Sequence, residues 1–287
     1  MDVKDLLDIP PWEWPGHAGR VILKCLVDRQ ADPEDRLIAA ELAGDLVVMN
    51  DELAESLLQI VLNKDEPEDL RGGAAIGLGP VLEQADTECV DGDEFDDPES
   101  VPITPLTFRN IQESLHKVYG DESNPKEVRR RVLEGAVRSP QDWQRDAIRA
   151  AYSSGDKDWV LTAVFAMRYV RGFDDLILEA LKSADPEVHY QAVCAAGNWG
   201  LDGAWPHVIQ LVKNPATPKP LLLAAIEAVG NIRPKEAGKV LMDLTDSDDE
   251  EIAEAADDAV AMAEAMSAEE VDEEDDEEDE DEGEWVN

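Results

Sequence analysis

The chain has 287 residues, of which 67 are Asp or Glu and 25 are Lys or Arg, a formal charge of −42. Such a field repels nucleic acid and anionic membrane and attracts cationic proteins or metal ions, and it also fits a high-salt habitat. Hydrophobic residues make up 43% and aromatics 5%, while three cysteines at no metal-like spacing, no leader pattern and no apolar run of about 18 residues predict a cytoplasmic protein with reduced thiols.

Residues 1–14 read as a capping segment in which Trp12 and Trp14 cover the open apolar end of the first helical repeat. From residue 15 one phrase recurs, a turn carrying Asp or Pro that leads to a small apolar anchor. The anchors are Ala39, Ala74, Val132, Ala163, Ala192, Ala224 and Ala255, at steps of 35, 58, 31, 29, 32 and 31 residues. A period near 30 made of two helical stretches marks a repeat array. In the first unit Val21, Ile22, Cys25 and Leu26 form a helical stripe. Asp32-Pro33 then resets the chain, Asp as an N-cap and Pro at the first helical position, before Leu37, Ala40 and Ala43. The fifth unit repeats this with Leu176, Ile177, Ala180 and Leu181, then Asp185-Pro186, then Val188, Ala192, Ala195 and Trp199.

The 58-residue step holds an acidic, proline-bearing insertion, about 86–105, expected as a loop. After Lys239 there is no Lys or Arg, while 24 acids follow. An extended acidic helix over 248–266 and a disordered tail over 267–287 are the expectation, because like-charge blocks of this length repel themselves.

The stretch Asp185-Pro186-Glu187-Val188-His189-Tyr190-Gln191-Ala192, with Asp32 to Ala39 and looser copies at Pro67 to Ala74 and Pro125 to Val132, resembles the signature of HEAT repeats. The resemblance covers residues 15–266. It implies an all-α HEAT-like solenoid, an α-α superhelix of about seven helical pairs, and a protein-binding scaffold more often than an enzyme. His189 stands where the signature has Arg, and Val160, Leu221 and Ile252 occupy that column without charge. The HEAT-like deoxyhypusine hydroxylases hold iron with His-Glu pairs, but the four histidines here precede Ala18, Lys117, Tyr190 and Val208. His17 and His207 stand near helix starts, where a polar side chain serves free backbone amides.

No catalytic constellation, metal site or cofactor is expected. Asp91 to Asp97 lacks the order of a calcium loop. Residues 126–171 form the one net-basic zone, with Trp143 and Trp159 inside it. The expected function is a non-enzymatic interaction scaffold working through a concave face lined by the second helices. Arg129, Arg130, Arg131, Arg168 and Arg171 are the expected contact patch for an acidic peptide. The tail, ending in Trp285, is expected to take basic partners or to dock on the protein's own basic zone. The alternatives are a HEAT-like lyase or enzyme-associated module, and a nucleic-acid-associated protein whose tail mimics phosphate.

Overall fold

The computed structural model describes the backbone of residues 1–90, 94–97 and 99–282, and the side chains of these except 90, 94–95 and 268–282. The chain forms two compact units, Met1–Val170 and Arg171–Asn287. Their boundary falls inside the run read from sequence as one array.

The first unit begins with α1 (Val3–Leu7), closed by a capping box between Asp2 and Asp5, and continues into α2 (Ala18–Val27) and α3 (Pro33–Leu42). Next come α4 (Asp51–Leu62), α5 (Glu68–Gly77) and α6 (Gly79–Thr87), then β1 (Cys89–Val90) paired antiparallel with β2 (Glu94–Phe95). It ends with α7 (Pro105–Gly120), α8 (Lys126–Ala136), α9 (Asp142–Ser153) and α10 (Lys157–Ala166). The second unit holds α11 (Asp174–Ala180), α12 (Pro186–Asn198), α13 (Trp205–Lys213), α14 (Lys219–Ile232), α15 (Pro234–Thr245) and α16 (Glu250–Glu282). Among the described residues these make seven helical pairs, α2/α3, α4/α5, α7/α8, α9/α10, α11/α12, α13/α14 and α15/α16.

The resetting phrase works as its chemistry dictates. Asp32 accepts from the Glu34 amide with Pro33 at the first helical position, and Asp185 accepts from Glu187 and Val188 ahead of Pro186. Six of the seven anchors are buried, from Ala39 to Ala224. The seventh slips by one residue, since Ala256 is buried while Ala255 is only partly so. In the first unit the second helices α3, α5, α8 and α10 pack side by side, with α2, α4 and α7 as a parallel layer of first helices.

One expectation needs correction. Trp14 does seal the N-terminal end, its indole N–H donating to the Leu6 and Ile9 carbonyls, but Trp12 is 78% exposed and covers nothing. The insertion read over about 86–105 follows α6, whose Val81, Leu82 and Ala85 are buried; its described residues are turns and the short β1–β2 pair, and Val101 and Ile103 return the chain to the core. Glu83 pairs with Arg138, Ser139 donates to Asp86 at 2.6 Å, and the Gln84 amide donates to the Ser100 carbonyl at 2.6 Å. The acidic cluster Asp91 to Asp93 lies outside the described residues. So do the side chains of 268–282 and all of 283–287, and with them the expectations for the tail and for Trp285.

Candidate protein-binding site

The repeats are joined by side chains, arginines among them. Arg36 on α3 donates back to the Leu26 carbonyl at 3.1 Å and forward, in bidentate fashion, to Glu66 at 2.7 and 3.1 Å. That hydrogen bonding holds the Glu66 carboxyl below its usual range. Arg71 on α5, 2% exposed, repeats the geometry: it donates to the Val61 carbonyl at 2.9 Å and to Asn124 at 2.7 Å. Glu66 and Asn124 each precede the proline that starts the next second helix. Each of these arginines therefore ties its own turn to its neighbour's.

Arg129 is the third member of this column. It donates to the Tyr119 carbonyl at 2.8 Å and its guanidinium lies over the rings of Tyr119 and Trp159, at 5.3 and 5.8 Å from their centroids. Arg130 is 5% exposed and donates to the Asp158 carbonyl, the Thr162 hydroxyl and Glu127. It belongs to the core of the α8–α10 contact and offers no surface to a partner. Arg168 lies over Phe165 and Tyr169, each centroid 5.8 Å away. In the second unit, Arg171 is exposed with its guanidinium 4.6 Å from the Trp199 centroid. Of the expected contact residues in the first unit, Arg131 borders an open groove. Even there it is ion-paired to Glu127 at 2.8 Å and to the buried Glu134 at 2.9 Å.

Lysines make joints of their own. Lys126 reaches Asp156 at 3.0 Å and Asp158 at 2.7 Å, and Lys219 reaches Asp249 at 2.8 Å and Glu251 at 2.6 Å. Both lysines follow a proline, and both use acids 30 and 32 residues ahead. These pairs are exposed, so they fix register more than they add stability.

The groove bordered by Arg131 runs across α3, α5 and α8 and encloses about 790 Å³. It exists because the helices approach closely on glycine. A Cβ on Gly77 would stand 2.7 Å from the Ala40 carbonyl oxygen, and one on Gly135 would stand 2.2 Å from the Ala75 oxygen. The floor is Gly44, Gly72, Gly73 and Gly77, with Leu37 and Ile76 as apolar walls. Glu41, Glu68, Asp69 and Glu127 line it as well. Sequence reading found the arginines but not this acidic groove.

A second arrangement was also missed. The Nε2 atoms of His189 and His207 stand 2.7 Å apart, joining α12 to α13 at the position of the lost arginine. Burial lowers both pKa values, and the His207 charge adds to the effect on His189. His207 thus serves a ring and no backbone amide, and His17 makes no side-chain cap either. Among the described residues no group of three His, Cys, Asp or Glu side chains is placed to hold a metal ion, and no helix is long and apolar enough to cross a membrane.

Residues 174–261 match the family model for HEAT repeats. No curated protein matches the chain. Among solved structures it is similar to human deoxyhypusine hydroxylase in complex with glycerol, at 14% identity and a TM-score of 0.40, over 92% of this chain and 88% of that one. It is also similar to the Escherichia coli protein YibA, at 18% identity and a TM-score of 0.45, over 90% and 85%.

Proposed function

We propose that this HEAT-like repeat protein is a non-enzymatic scaffold that binds a partner protein through the groove across α3, α5 and α8. One observation carries the reading: three second helices are held at glycine-limited distance, leaving a preformed channel with a bare floor and apolar walls. Such a channel accepts a side-chain row without reorganising, which lowers the entropic cost of binding. Of the arginines expected as a contact patch, Arg131 borders this channel, while Arg130 is buried between α8 and α10. Protein binding, the cytoplasmic setting and any role for the acidic C-terminal stretch belong to the same proposal.

The test is to fill the floor. In Gly73→Phe the added Cβ meets the tip of Leu37 at 3.0 Å and the Ala40 Cβ at 4.0 Å, and removing a helical glycine offsets the crowding. A partner purified with the wild-type protein should lose at least tenfold in affinity for this variant, with helicity and melting temperature unchanged. Equal affinity for both proteins rejects the groove. A full-length protein that co-purifies with no stoichiometric partner rejects the scaffold.

A further inference from the structure

The groove does not end at Gly44. A second slot of about 540 Å³, lined by Pro11, Trp14, Leu42, Asp45 and Leu46, shares Glu41, Gly44 and Pro80 with it. The two form one continuous track from the N-terminal cap to α8, and its chemistry is one-sided. Glu41, Asp45, Glu68, Asp69 and Glu127 line it with carboxylates. The one cation among its described lining residues, Arg131, is already shared between Glu127 and Glu134. Between these acids lie Leu37, Leu46 and Ile76, the last two about two-fifths exposed. Trp12, between the slot-lining Pro11 and Trp14, presents a free indole face, on which cations stack favourably.

Resting on the reading of the groove as a docking face, we propose that its occupant is a cationic amphipathic segment of another protein. Lysines or arginines of that segment meet the acidic residues, and leucine-sized side chains fill the floor. Charge excludes the nearer alternatives. The chain itself is at −42, so a second copy is repelled overall, and its C-terminal stretch, with no Lys or Arg after Lys239, offers the track no cation. Nucleic acid meets carboxylates wherever it would need cations. Helices pack about 8–10 Å apart, so crossing three of them takes about 20 Å. That is about six extended residues at ~3.3 Å each, or about 13 helical ones at 1.5 Å.

The probes are three fluorescein-labelled 15-residue peptides, one alternating Lys and Leu, one alternating Lys and Ser, and one alternating Glu and Leu. Anisotropy is read against the full-length protein at about 0.1 M salt, where surface charges still act over about 10 Å. The Lys–Leu peptide should bind at least tenfold more tightly than the Lys–Ser peptide, and the Glu–Leu peptide should not bind. Two variants change the net charge equally. Glu41→Lys with Asp69→Lys alters the track, while Asp257→Lys with Glu264→Lys alters exposed positions on α16. The first should weaken Lys–Leu binding at least tenfold and the second less than twofold. Equal losses in both, or equal affinity for Lys–Leu and Lys–Ser, would show that net charge alone attracts the peptide and overturn the proposal. Dimerisation that competes with the peptide would install a second copy as the occupant and overturn it too. If the Lys–Leu peptide fails while Gly73→Phe still releases the native partner, only the cationic occupant falls. If Gly73→Phe also has no effect, the docking face falls with it.

Discussion

Arg71 offers the sharpest energetic test of how the repeats are joined. Its guanidinium is buried without a described carboxylate in hydrogen-bonding contact, and burial pulls its pKa down. Its donors go to the Val61 carbonyl and to Asn124, which in turn donates to the Val118 carbonyl at 3.1 Å. In Arg71→Ala two charge-assisted hydrogen bonds vanish, each about 1.5–3 kcal/mol. Two buried acceptors are left open, and part of the loss is offset because the guanidinium no longer has to be desolvated. The net effect should be about 3 kcal/mol, the sum of two such bonds at about 1.5 kcal/mol each. For a cooperative unit ending at Val170, a domain in the range where 1 kcal/mol shifts Tm by about 2–4 °C, the melting point should fall about 6–12 °C. Urea unfolding followed by circular dichroism gives the free energy, and calorimetry resolves the first unit. A double-mutant cycle with Asn124→Ala should return a coupling of about 1–3 kcal/mol. A loss below about 1 kcal/mol, or a coupling near zero, would refute the claim that this contact joins the repeats.

Two further outcomes rest on close contacts elsewhere. Gly135→Ala drives a methyl into the Ala75 carbonyl oxygen and should destabilise by about 1–3 kcal/mol, whereas Gly120→Ala, with open space around it, should be neutral or better; equal effects in urea titrations would contradict the packing. The histidine pair sets a pH dependence: both folded pKa values lie below the unfolded value near 6.5, so the unfolded state binds more protons and stability falls as pH drops below about 6.5. His207→Gln should flatten that slope between pH 7.5 and 5.5, and an unchanged slope would place the dependence in other groups.

The architecture was legible because each turn is written in residues with one strong local meaning. Asp-Pro can cap and start a helix and do little else, and the apolar anchors come at fixed offsets. The slipped seventh anchor shows the limit of that signal: in the alanine-rich run Ala253 to Ala265 the helix can present several faces almost equally well. The lysine joints were also legible in principle, since Pro125-Lys126 and Pro218-Lys219 stand at identical offsets from their acids. Following only the arginine column concealed them. In the insertion the acids dominate the composition and concealed that Val101 and Ile103 alternate as a buried extended segment would. The groove lay beyond sequence reading for a different reason. Gly44, Gly72, Gly73 and Gly77 become a floor only when α3, α5 and α8 stand abreast, and which helices neighbour one another is a tertiary fact. The histidine pair is of the same kind: its members are 18 residues apart, and the packing of α13 on its neighbours makes them meet.

The contact between Arg71 and Asn124 spans 53 residues, where the equivalent Arg36–Glu66 contact spans 30. Closing the longer loop costs about (3/2)RT ln(53/30), or roughly 0.5 kcal/mol more, less than one hydrogen bond. The turn between α5 and α7 is therefore a place where the array tolerates added chain almost freely, so long as both ends return to the same two side chains. Shortening the stretch between α6 and Ser100, with α6 kept because its Val81, Leu82 and Ala85 are buried, should bring the two pairs together sooner in folding while leaving their final contact unchanged. Variation in length can then accumulate between α6 and Ser100 with little effect on the rest of the fold.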